Sequence, residues 1–317
     1  MIRYVLIGLI LLAASDSTAG PTFVVAKDGS GDFQTLQSAI DAMKSFPPER
    51  ITIVVKRGVY REKVVVHEWN TRLSIVGEDK ESTIISWDDH FKRIARGRNS
   101  TFLTPTMRVD ADDFVAQNLT IENTAGEVGQ AIALAVNAKR AVFQMVRLLG
   151  NQDTLYVTGE GNRMLFDDCY IEGSTDFIFG GASAVFNNCT LHAKKNSYIT
   201  AASTPANEVF GFVFINANLT AAPGVDAVYL GRPWREYAQT VFINSAMGRH
   251  ILPAGWYNWS KTEAEGTVYY AEHQSSGPGG NTSERVSWSR QLTEDEAERY
   301  AVERLLESTT HPGWYRR

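Results

Sequence analysis

Two aspartates, Asp153 and Asp176, occupy the same position in two consecutive copies of an internal repeat. Each follows a repeat phenylalanine by ten residues, Phe143 in one copy and Phe166 in the next. If each copy is one coil of a stacked solenoid, the two carboxyl groups lie on one face, about 4.8 Å apart, which is the separation of neighbouring strands. Two carboxyl groups at that separation do not both ionise easily, so the pair is suited to nucleophilic and acid–base chemistry.

The repeat that positions these aspartates is a phenylalanine, four further residues and an aliphatic residue. Its copies are Phe114/Leu119, Phe143/Leu148, Phe166/Ile171, Phe186/Leu191, Phe214/Leu219 and Phe242/Met247. A period of about 20–30 residues with β-branched and aromatic residues, and little helical periodicity, predicts an all-β fold, a right-handed parallel β-helix. The copies are unevenly spaced, so loops of different lengths leave the coils, and such loops usually form the binding face.

Two helices are predicted at the ends of the solenoid. Residues 35–43 have apolar side chains at helical spacing and predict a short N-terminal helix. Residues 293–306 predict a C-terminal helix, which begins with a Thr-x-x-Glu capping box at Thr293. No low-complexity linker divides the chain, so we expect residues 20–317 to form one catalytic β-helix domain.

The first 19 residues have the pattern of a secretory signal peptide, with Arg3 ahead of an apolar run and Ala19 at the cleavage position. The apolar run is shorter than the roughly 20 residues of a membrane span, so no membrane anchor is expected. The formal net charge is -5 and no block of Lys and Arg occurs, which argues against nucleic acid as a partner. We expect a secreted protein, extracellular or periplasmic, that acts as a monomer.

The two cysteines, Cys169 and Cys189, each follow a repeat phenylalanine by three residues. They should therefore stack on adjacent coils, at a separation that a disulfide accepts. Export would make the bond chemically possible, but two stacked buried thiols fit the pattern equally well. The sequence leaves both states open.

Five short segments form a more specific pattern. They are residues 58–62 (GVYRE), 130–134 (QAIAL), 152–155 (QDTL), 176–180 (DFIFG) and 230–234 (LGRPW). In this order they resemble the five signature segments of the pectin methylesterases, or pectinesterases, and the similarity extends from about Phe23 to the C-terminal region. The resemblance implies a carbohydrate esterase that hydrolyses the methyl esters of pectin, a methyl-esterified homogalacturonan, to pectate and methanol.

The resemblance also implies roles for individual residues. The family arginine that matches Arg232 pairs with the aspartate that matches Asp176, which would keep Asp176 ionised as the nucleophile. Asp153 would be the protonated partner, donating to methanol and then activating water. Between two close carboxyl groups we expect one pKa to rise and the other to fall. Gln130 and Gln152 match the family's oxyanion donors, a task that suits an uncharged amide.

Aromatic residues flank these segments and predict a groove that binds sugar rings through their apolar C–H faces. Trp234 and Trp256 are the first candidates for this groove. Tyr156 and Phe179 either contact the substrate or exclude water from the carboxyl groups. Phe102 lies in a segment that loosely resembles another groove segment of the family.

Other functions are compatible with a β-helix. A pectate lyase would need a calcium-binding acidic cluster, and a polygalacturonase would need carboxylates arranged about a glycosidic bond, and neither set is recognisable. A non-catalytic polysaccharide-binding homologue would have lost an essential residue, whereas every catalytic candidate is present. The six histidines lie outside the five segments and lack metal-ligand spacing, so we expect neither a metal nor another cofactor.

Overall fold

The structure is a computed structural model that describes residues 20–316, so the predicted signal peptide lies outside the described residues. Within residues 20–316 the strands form three parallel sheets of 11, 8 and 7 strands, which we call the long, intermediate and short sheets. The chain visits the sheets in turn, and each strand pairs with its counterparts one coil before and one coil after. This architecture confirms the right-handed parallel β-helix predicted from the repeat.

Over most of the solenoid each coil contributes one strand to each sheet. The long sheet contains β1 (Thr22–Val25), β2 (Ile51–Val55), β5 (Leu73–Gly77), β8 (Val115–Gln117), β11 (Ala141–Gln144), β14 (Arg163–Asp167), β17 (Ser183–Asn187), β20 (Phe212–Ile215), β23 (Gln239–Ile243), β25 (Tyr269–His273) and β26 (Arg290–Gln291). The intermediate sheet contains β3 (Gly58–Arg61), β6 (Thr83–Trp87), β9 (Thr120–Asn123), β12 (Arg147–Leu149), β15 (Tyr170–Gly173), β18 (Thr190–Ala193), β21 (Asn218–Ala221) and β24 (Ala246–Met247). The short sheet contains β4 (Val64–Val66), β7 (Met107–Val109), β10 (Leu134–Val136), β13 (Leu155–Val157), β16 (Ile178–Gly180), β19 (Tyr198–Ala202) and β22 (Tyr229–Pro233).

The repeat residues form two columns inside the solenoid. The phenylalanines from Phe143 to Phe242 are register partners in the long sheet, and their rings stack with centroids 4.5–4.9 Å apart. The aliphatic residues from Leu148 to Met247 pair in the same way in the intermediate sheet. Burial of these side chains along the axis supplies the hydrophobic free energy that holds successive coils together.

The first copy of the repeat does not follow this register. Phe143 pairs with Ala116 and not with Phe114, so the strands are offset by two residues. Phe114 is nevertheless fully buried, because positions two apart in a strand face the same side. Its ring meets that of Phe143 at 47°. The prediction of equivalent copies is therefore wrong for the first one.

The turns between the long and intermediate sheets hold a column of residues in the left-handed conformation. They are Asn118, Met145, Asp168, Asn188, Asn216, Asn244 and Gln274, with φ between 50° and 56°. Asn and Asp tolerate this conformation because their short polar side chains can bond locally. Asn216, for example, donates from Nδ2 to Oδ1 of Asn188 at 3.3 Å. Repetition of the same turn keeps the strands that follow it in register.

Short helices flank the coils. They are α1 (Leu36–Asp41), α2 (Phe91–Ile94), α3 (Glu294–Ala297) and α4 (Val302–Leu306), with 3₁₀ turns at Gly97–Leu103, Thr262–Gly266 and Glu298–Tyr300. The N-terminal helix is confirmed, with Thr35 as its N-cap. The capping box at Thr293 is also present, but the single C-terminal helix is wrong, because Ala301 is extended and separates α4 from the preceding turn. None of the helices in residues 20–316 is long and apolar enough to cross a membrane.

The C-terminal segment covers the outer face of the long sheet. Leu305 and Trp314 pack in one apolar cluster with outward-facing residues of that sheet, including Val142, Leu165 and Val213. The C-terminal segment thus packs on the long sheet, whereas the candidate site lies on the outer face of the short sheet.

Cys169 and Cys189 stack on adjacent coils, as their spacing predicted. Both are buried free thiols in the structure. Their Sγ atoms donate to the carbonyl oxygens of Phe143 and Phe166, at 3.3 and 3.4 Å. Of the two states that the sequence left open, the structure has the thiols.

Candidate active site

Asp153 and Asp176 lie on adjacent coils, each two residues before a strand of the short sheet. The register of those strands, Leu155 with Ile178, confirms the prediction that the two aspartates are one coil apart. Both aspartates have left-handed backbones, with φ of 66° and 48°. A left-handed residue interrupts the alternation of inward- and outward-facing side chains along a strand. The two residues after each aspartate are therefore both buried, while the carboxyl group faces the outer surface. The aspartates themselves are 8% and 5% exposed.

Arg232 holds one of the two carboxyl groups in a bidentate ion pair. Its Nε donates to Oδ1 of Asp176 at 2.9 Å and its Nη2 donates to Oδ2 at 2.7 Å. The guanidinium comes from β22, two coils beyond Asp176, and its strand position is fixed by the pairing of Arg232 with Ala201. This two-point geometry orients the carboxylate as well as neutralising it.

Two aromatic rings enclose the same guanidinium. The Cζ atom of Arg232 lies 3.9 Å from the ring centroid of Tyr198 and 3.6 Å from that of Trp259. A guanidinium between two ring faces gains cation–π attraction, and the rings and the carboxylate together fix its plane. The ion pair is therefore held rigidly at the floor of the site.

The two carboxyl groups differ in their electrostatic surroundings. Burial raises the pKa of Asp153 well above its usual range, and the neighbouring charge of Asp176 raises it further, against a smaller lowering by Arg232. Burial also raises the pKa of Asp176, but the hydrogen bonds and charge of Arg232 oppose that rise. The expectation that one pKa would fall is wrong, because burial acts on both groups. The two carboxyl groups still differ, because Arg232 stabilises the ionised form of Asp176, whereas Asp153 is the more readily protonated of the two.

Both aspartates open into a cleft of about 300 Å³. Gln130, Gln152 and Arg232 line it with them, so all five predicted catalytic residues meet at one place. Gln130 and Gln152 form a bridge between adjacent coils, and the N–H of Ala131 donates to the carbonyl of Gln152 at 3.1 Å. The cleft thus combines two carboxyl groups of unequal pKa with uncharged amide donors.

Four of the predicted groove aromatics form a continuous row across the coils. Ring centroids are 5.0 Å apart between Phe102 and Tyr156, 4.7 Å between Tyr156 and Phe179, and 5.8 Å between Phe179 and Trp234. The rings pack in one apolar cluster with Ile132, Ala135 and Ala201, in which Phe179 is buried and the other three rings are half-buried. The row passes beside the carboxyl pair and provides an apolar wall.

Trp256 is not in the groove, and the prediction for it is wrong. It is 1% exposed and stacks inside the solenoid on Tyr270, with centroids 4.3 Å apart. The column of phenylalanines ends at Phe242, whose register partner on the next coil is Glu272, so a large apolar side chain is needed to fill this end of the core. Trp256, which lies 6.0 Å from Phe242, occupies that space.

Several residues that line the cleft, and Tyr198, which packs on Arg232, were not predicted from the sequence. Trp259 is three residues beyond Trp256, and in an irregular loop that spacing does not indicate which ring faces outward. Tyr198 could have been found, because it follows Asp176 by nearly the same interval that separates the two aspartates. Arg98 and Thr101, from the 3₁₀ turn Gly97–Leu103, also line the cleft and carried no recognisable signal.

No cluster of three or more His, Cys, Asp or Glu side chains that could hold a metal ion occurs within residues 20–316. The chemistry that the cleft can perform with its own groups is nucleophilic attack by one carboxylate, proton transfer by the other and hydrogen bonding to a developing oxyanion.

The comparisons with known proteins agree with this geometry. The family model Pectinesterase matches residues 22–309. Among curated proteins, the chain is 36% identical to Pectinesterase 31 of Arabidopsis thaliana, over 92% of this chain and 93% of that protein. It is 37% identical to Probable pectinesterase/pectinesterase inhibitor 23 of the same plant, over 95% of this chain. There it spans only 55% of the relative, about half the length of that protein and of others like it.

Solved structures show the same likeness. A pectin methylesterase from carrot superposes with a TM-score of 0.85 at 36% identity, over 92% of this chain and 94% of that one. A pectin methylesterase in complex with a hexasaccharide superposes with a TM-score of 0.77 at 29% identity, over 92% of this chain and 97% of that one.

Proposed function

The chain belongs to the pectinesterase family, and we propose that it hydrolyses the methyl esters of pectin to pectate and methanol. The observation that carries the proposal is the asymmetric carboxyl pair. Asp176 is oriented by two hydrogen bonds from Arg232, whereas Asp153 has no such ion pair within residues 20–316 and is the stronger proton holder. Such a pair supplies a nucleophile and an acid side by side.

In the first half of the reaction, a carboxylate oxygen of Asp176 attacks the carbonyl carbon of the ester. The electron pair of the C=O bond moves to its oxygen, and the amide N–H groups of Gln130 and Gln152 donate to the oxyanion. Collapse of this intermediate breaks the bond to the methoxy oxygen, which takes the proton of Asp153 and leaves as methanol. The galacturonate acyl group is then bound to Asp176 as an anhydride.

In the second half, Asp153 is ionised and acts as a base. It removes a proton from a water molecule, whose oxygen attacks the acyl carbon and forms a second oxyanion at the same amides. Collapse releases the free galacturonate carboxyl group and returns the Asp176 carboxylate to Arg232. Asp153 has regained its proton, so the cycle consumes one water and yields one methanol per ester.

The substrate class follows from the groove as well as from the relatives. In the aromatic row, Phe102, Tyr156 and Trp234 are half-buried and offer apolar surface to sugar rings, whereas Phe179 is buried and packs beneath the row. Trp259 adds a ring beside the guanidinium of Arg232. We propose that the chain acts outside the cytoplasm, where cell-wall pectin is found, and that it acts as a monomer. One chain supplies every residue named in the cleft, which supports the proposal that the protein acts as a monomer.

The test uses purified protein and highly esterified pectin, with three products measured in the same reaction. Methanol release without ultraviolet-absorbing unsaturated sugars and without new reducing ends is expected. Unsaturated products would identify a lyase, and reducing ends would identify a glycosidase. Binding of the polymer without any of the three products would identify a non-catalytic homologue.

A further inference from the structure

We propose that Asn123 is a positioning residue for the oxyanion donor Gln130. It would act by tying together the backbone of residues 130–132 and the segment of residues 89–104, here called the wall segment. The proposal rests on the proposed function, because it assigns Asn123 a task in the same reaction. Asn123 lies at the end of β9, outside the five signature segments, and its side chain does not line the cleft.

The backbone around Gln130 needs support because it precedes a strand. Strand β10 begins only at Leu134, so Gln130 itself is outside the regular pairing of the short sheet. The next coil holds it on one side through the bond from Ala131 N–H to Gln152. On the other side the preceding coil runs as the 3₁₀ turn Gly97–Leu103 and not as a strand. Other contacts must therefore fix this side of Gln130.

Asn123 provides one of these contacts. Its Nδ2 donates to the carbonyl of Asp89 at 2.9 Å and to the carbonyl of Ile132 at 3.1 Å, and its Oδ1 accepts from the N–H of Ala125 at 3.0 Å. The residue is 4% exposed, so these bonds replace those to water that the amide would otherwise make. One side chain thus joins the wall segment to Ile132, two residues after Gln130.

The wall segment in turn holds Gln130 directly. The N–H of Phe91, two residues after Asp89, donates to the carbonyl of Gln130 at 2.8 Å. At the other end of the segment, Oγ1 of Thr104 accepts from the N–H of Ile132 at 3.0 Å. Asn123 therefore adds a third link between two segments that are already bonded at the carbonyl of Gln130 and at the N–H of Ile132.

The consequence concerns the direction of the Gln130 side chain. An oxyanion donor is effective only when its N–H reaches the place where charge develops, and misplacement of about 1 Å can cost roughly 10²-fold in rate. Without Asn123 the carbonyl of Asp89 loses its donor, and the direct bonds from Phe91 to Gln130 and from Ile132 to Thr104 must hold the two segments together without its support. The amide of Gln130 would then point into the cleft less accurately, while Tyr156, Phe179 and Trp234, the rings of the aromatic row that lie outside the wall segment, would be unchanged.

The first experiment compares Asn123→Ala with a matched control, Asn162→Ala. Asn162 is 5% exposed and also donates two bonds from Nδ2, to Oδ1 of Asn137 at 3.0 Å and to the carbonyl of Thr158 at 2.8 Å. Both variants should lower the unfolding temperature. Asn123→Ala should also lower kcat by about tenfold or more with KM little changed, whereas Asn162→Ala should leave kcat at the wild-type value.

A double-mutant cycle with Gln130→Ala distinguishes positioning from general damage. If Asn123 acts through Gln130, Asn123→Ala should have little further effect on kcat once the Gln130 amide is gone. An equal loss of kcat with and without Gln130 would overturn the positioning role and leave the esterase function standing. Wild-type kcat for Gln130→Ala would overturn the oxyanion assignment and the positioning role together.

A backbone variant keeps the proposal testable if Asn123→Ala fails to fold. Phe91 is the first residue of α2, where proline is tolerated, and the preceding His90 has the extended backbone that a residue before proline requires. Phe91→Pro removes the N–H that bonds to Gln130, and Phe91→Ala removes the same ring while keeping that N–H. The proline variant should have the lower kcat of the two, and equal kcat values would overturn the proposal.

Discussion

Two arginine–carboxylate pairs in this protein have nearly the same geometry and opposite surroundings. Arg232 meets Asp176 through Nε and Nη2 at 2.9 and 2.7 Å, and Arg285 meets Glu272 through the same atoms at 2.7 and 3.2 Å. The side chains of the first pair are 15% and 8% exposed, at the floor of an open cleft. Those of the second are 3% and 0% exposed, at the end of the solenoid core.

The second pair is saturated with hydrogen bonds. Glu272 takes the position where the phenylalanine column would continue beyond Phe242. Its Oε2 also accepts from Ser275, and Arg285 donates to backbone carbonyls, including that of Gly279 at 2.8 Å. A buried ion pair of this kind is tolerated because nearly every polar atom has a partner, and it closes the end of the core without reacting.

The first pair is left incomplete on the side that faces the cleft. The rings of Tyr198 and Trp259 cover the guanidinium of Arg232, and they leave the carboxylate of Asp176 accessible beside Asp153. The carboxylate is oriented but not enclosed, so it can reach an incoming carbon atom. The difference between the pairs is therefore one of access and of neighbours, not of the ion pair itself.

The largest effect is expected from Asp176→Asn, which should lower kcat by about 10⁴-fold or more because the nucleophile loses its charge. The fold and the binding of an esterified oligogalacturonide should be largely retained, because the shape of the side chain is kept. Methanol release and calorimetric binding provide the measurements. Wild-type methanol release from a folded variant would show that Asp176 is not the nucleophile and that the two ion pairs do not differ in reactivity.

Glu272→Gln makes the same chemical change in the saturated pair and should have the opposite consequence. It should lower the free energy of unfolding by about 3 kcal/mol, because the charge of Arg285 stays buried without a counter-charge. The kcat per folded molecule should be unchanged. Urea denaturation and methanol release on the same preparation test both parts, and a loss of kcat without a loss of stability would contradict the structural role.

Asp153→Asn should lower kcat by about 10²-fold, because it removes both the acid for methanol and the base for water. It should also stabilise the fold at neutral pH. Burial raises the folded-state pKa of Asp153 above its unfolded value, so the folded state holds more protons between those values and wild-type stability falls as pH rises through that interval. Urea denaturation at pH 7 and below pH 4 should show the advantage of the variant only at the higher pH.

If the variant and the wild type differed by the same free energy of unfolding at both pH values, burial would not be destabilising the ionised form of Asp153. A variant that kept most of its kcat would make Asp153 a structural neighbour of the Asp176–Arg232 pair and nothing more.

The smallest effect is expected from Trp234→Ala, which should raise KM by roughly fivefold, about 1 kcal/mol, through loss of a sugar contact. Trp256→Ala is the matched variant in the core. It should leave KM unchanged and lower the free energy of unfolding by about 3–5 kcal/mol. A fall in kcat at constant KM for Trp234→Ala would instead make Trp234 a support of Arg232, two residues away.

The fold was predictable because the repeat residues of one coil pair with those of the next and so define the register of the strands. Phenylalanines separated by one coil stack on one another, and a residue at a constant offset from them, such as Asp153 or Asp176, must then recur on the same face. The repeat did not predict the register at Phe114, since a strand presents every second residue to the core and a slip of two positions keeps a phenylalanine buried. The single helix predicted for residues 293–306 is also wrong, because the capping box at Thr293 starts a helix that does not continue past Ala301.

By itself, the sequence determined the solenoid, the face that bears the two carboxyl groups and the set of residues that could react there. Only the tertiary structure decided that Arg232 is held between Tyr198 and Trp259, that Trp256 fills the core, and that burial raises the pKa of both aspartates. The physical reason is the distance in sequence between the residues that interact. Strand register is set by the burial of residues that recur at regular intervals along the sequence. The direction of a loop side chain, and the solvation of a carboxyl group, depend on atoms contributed by coils far apart in sequence.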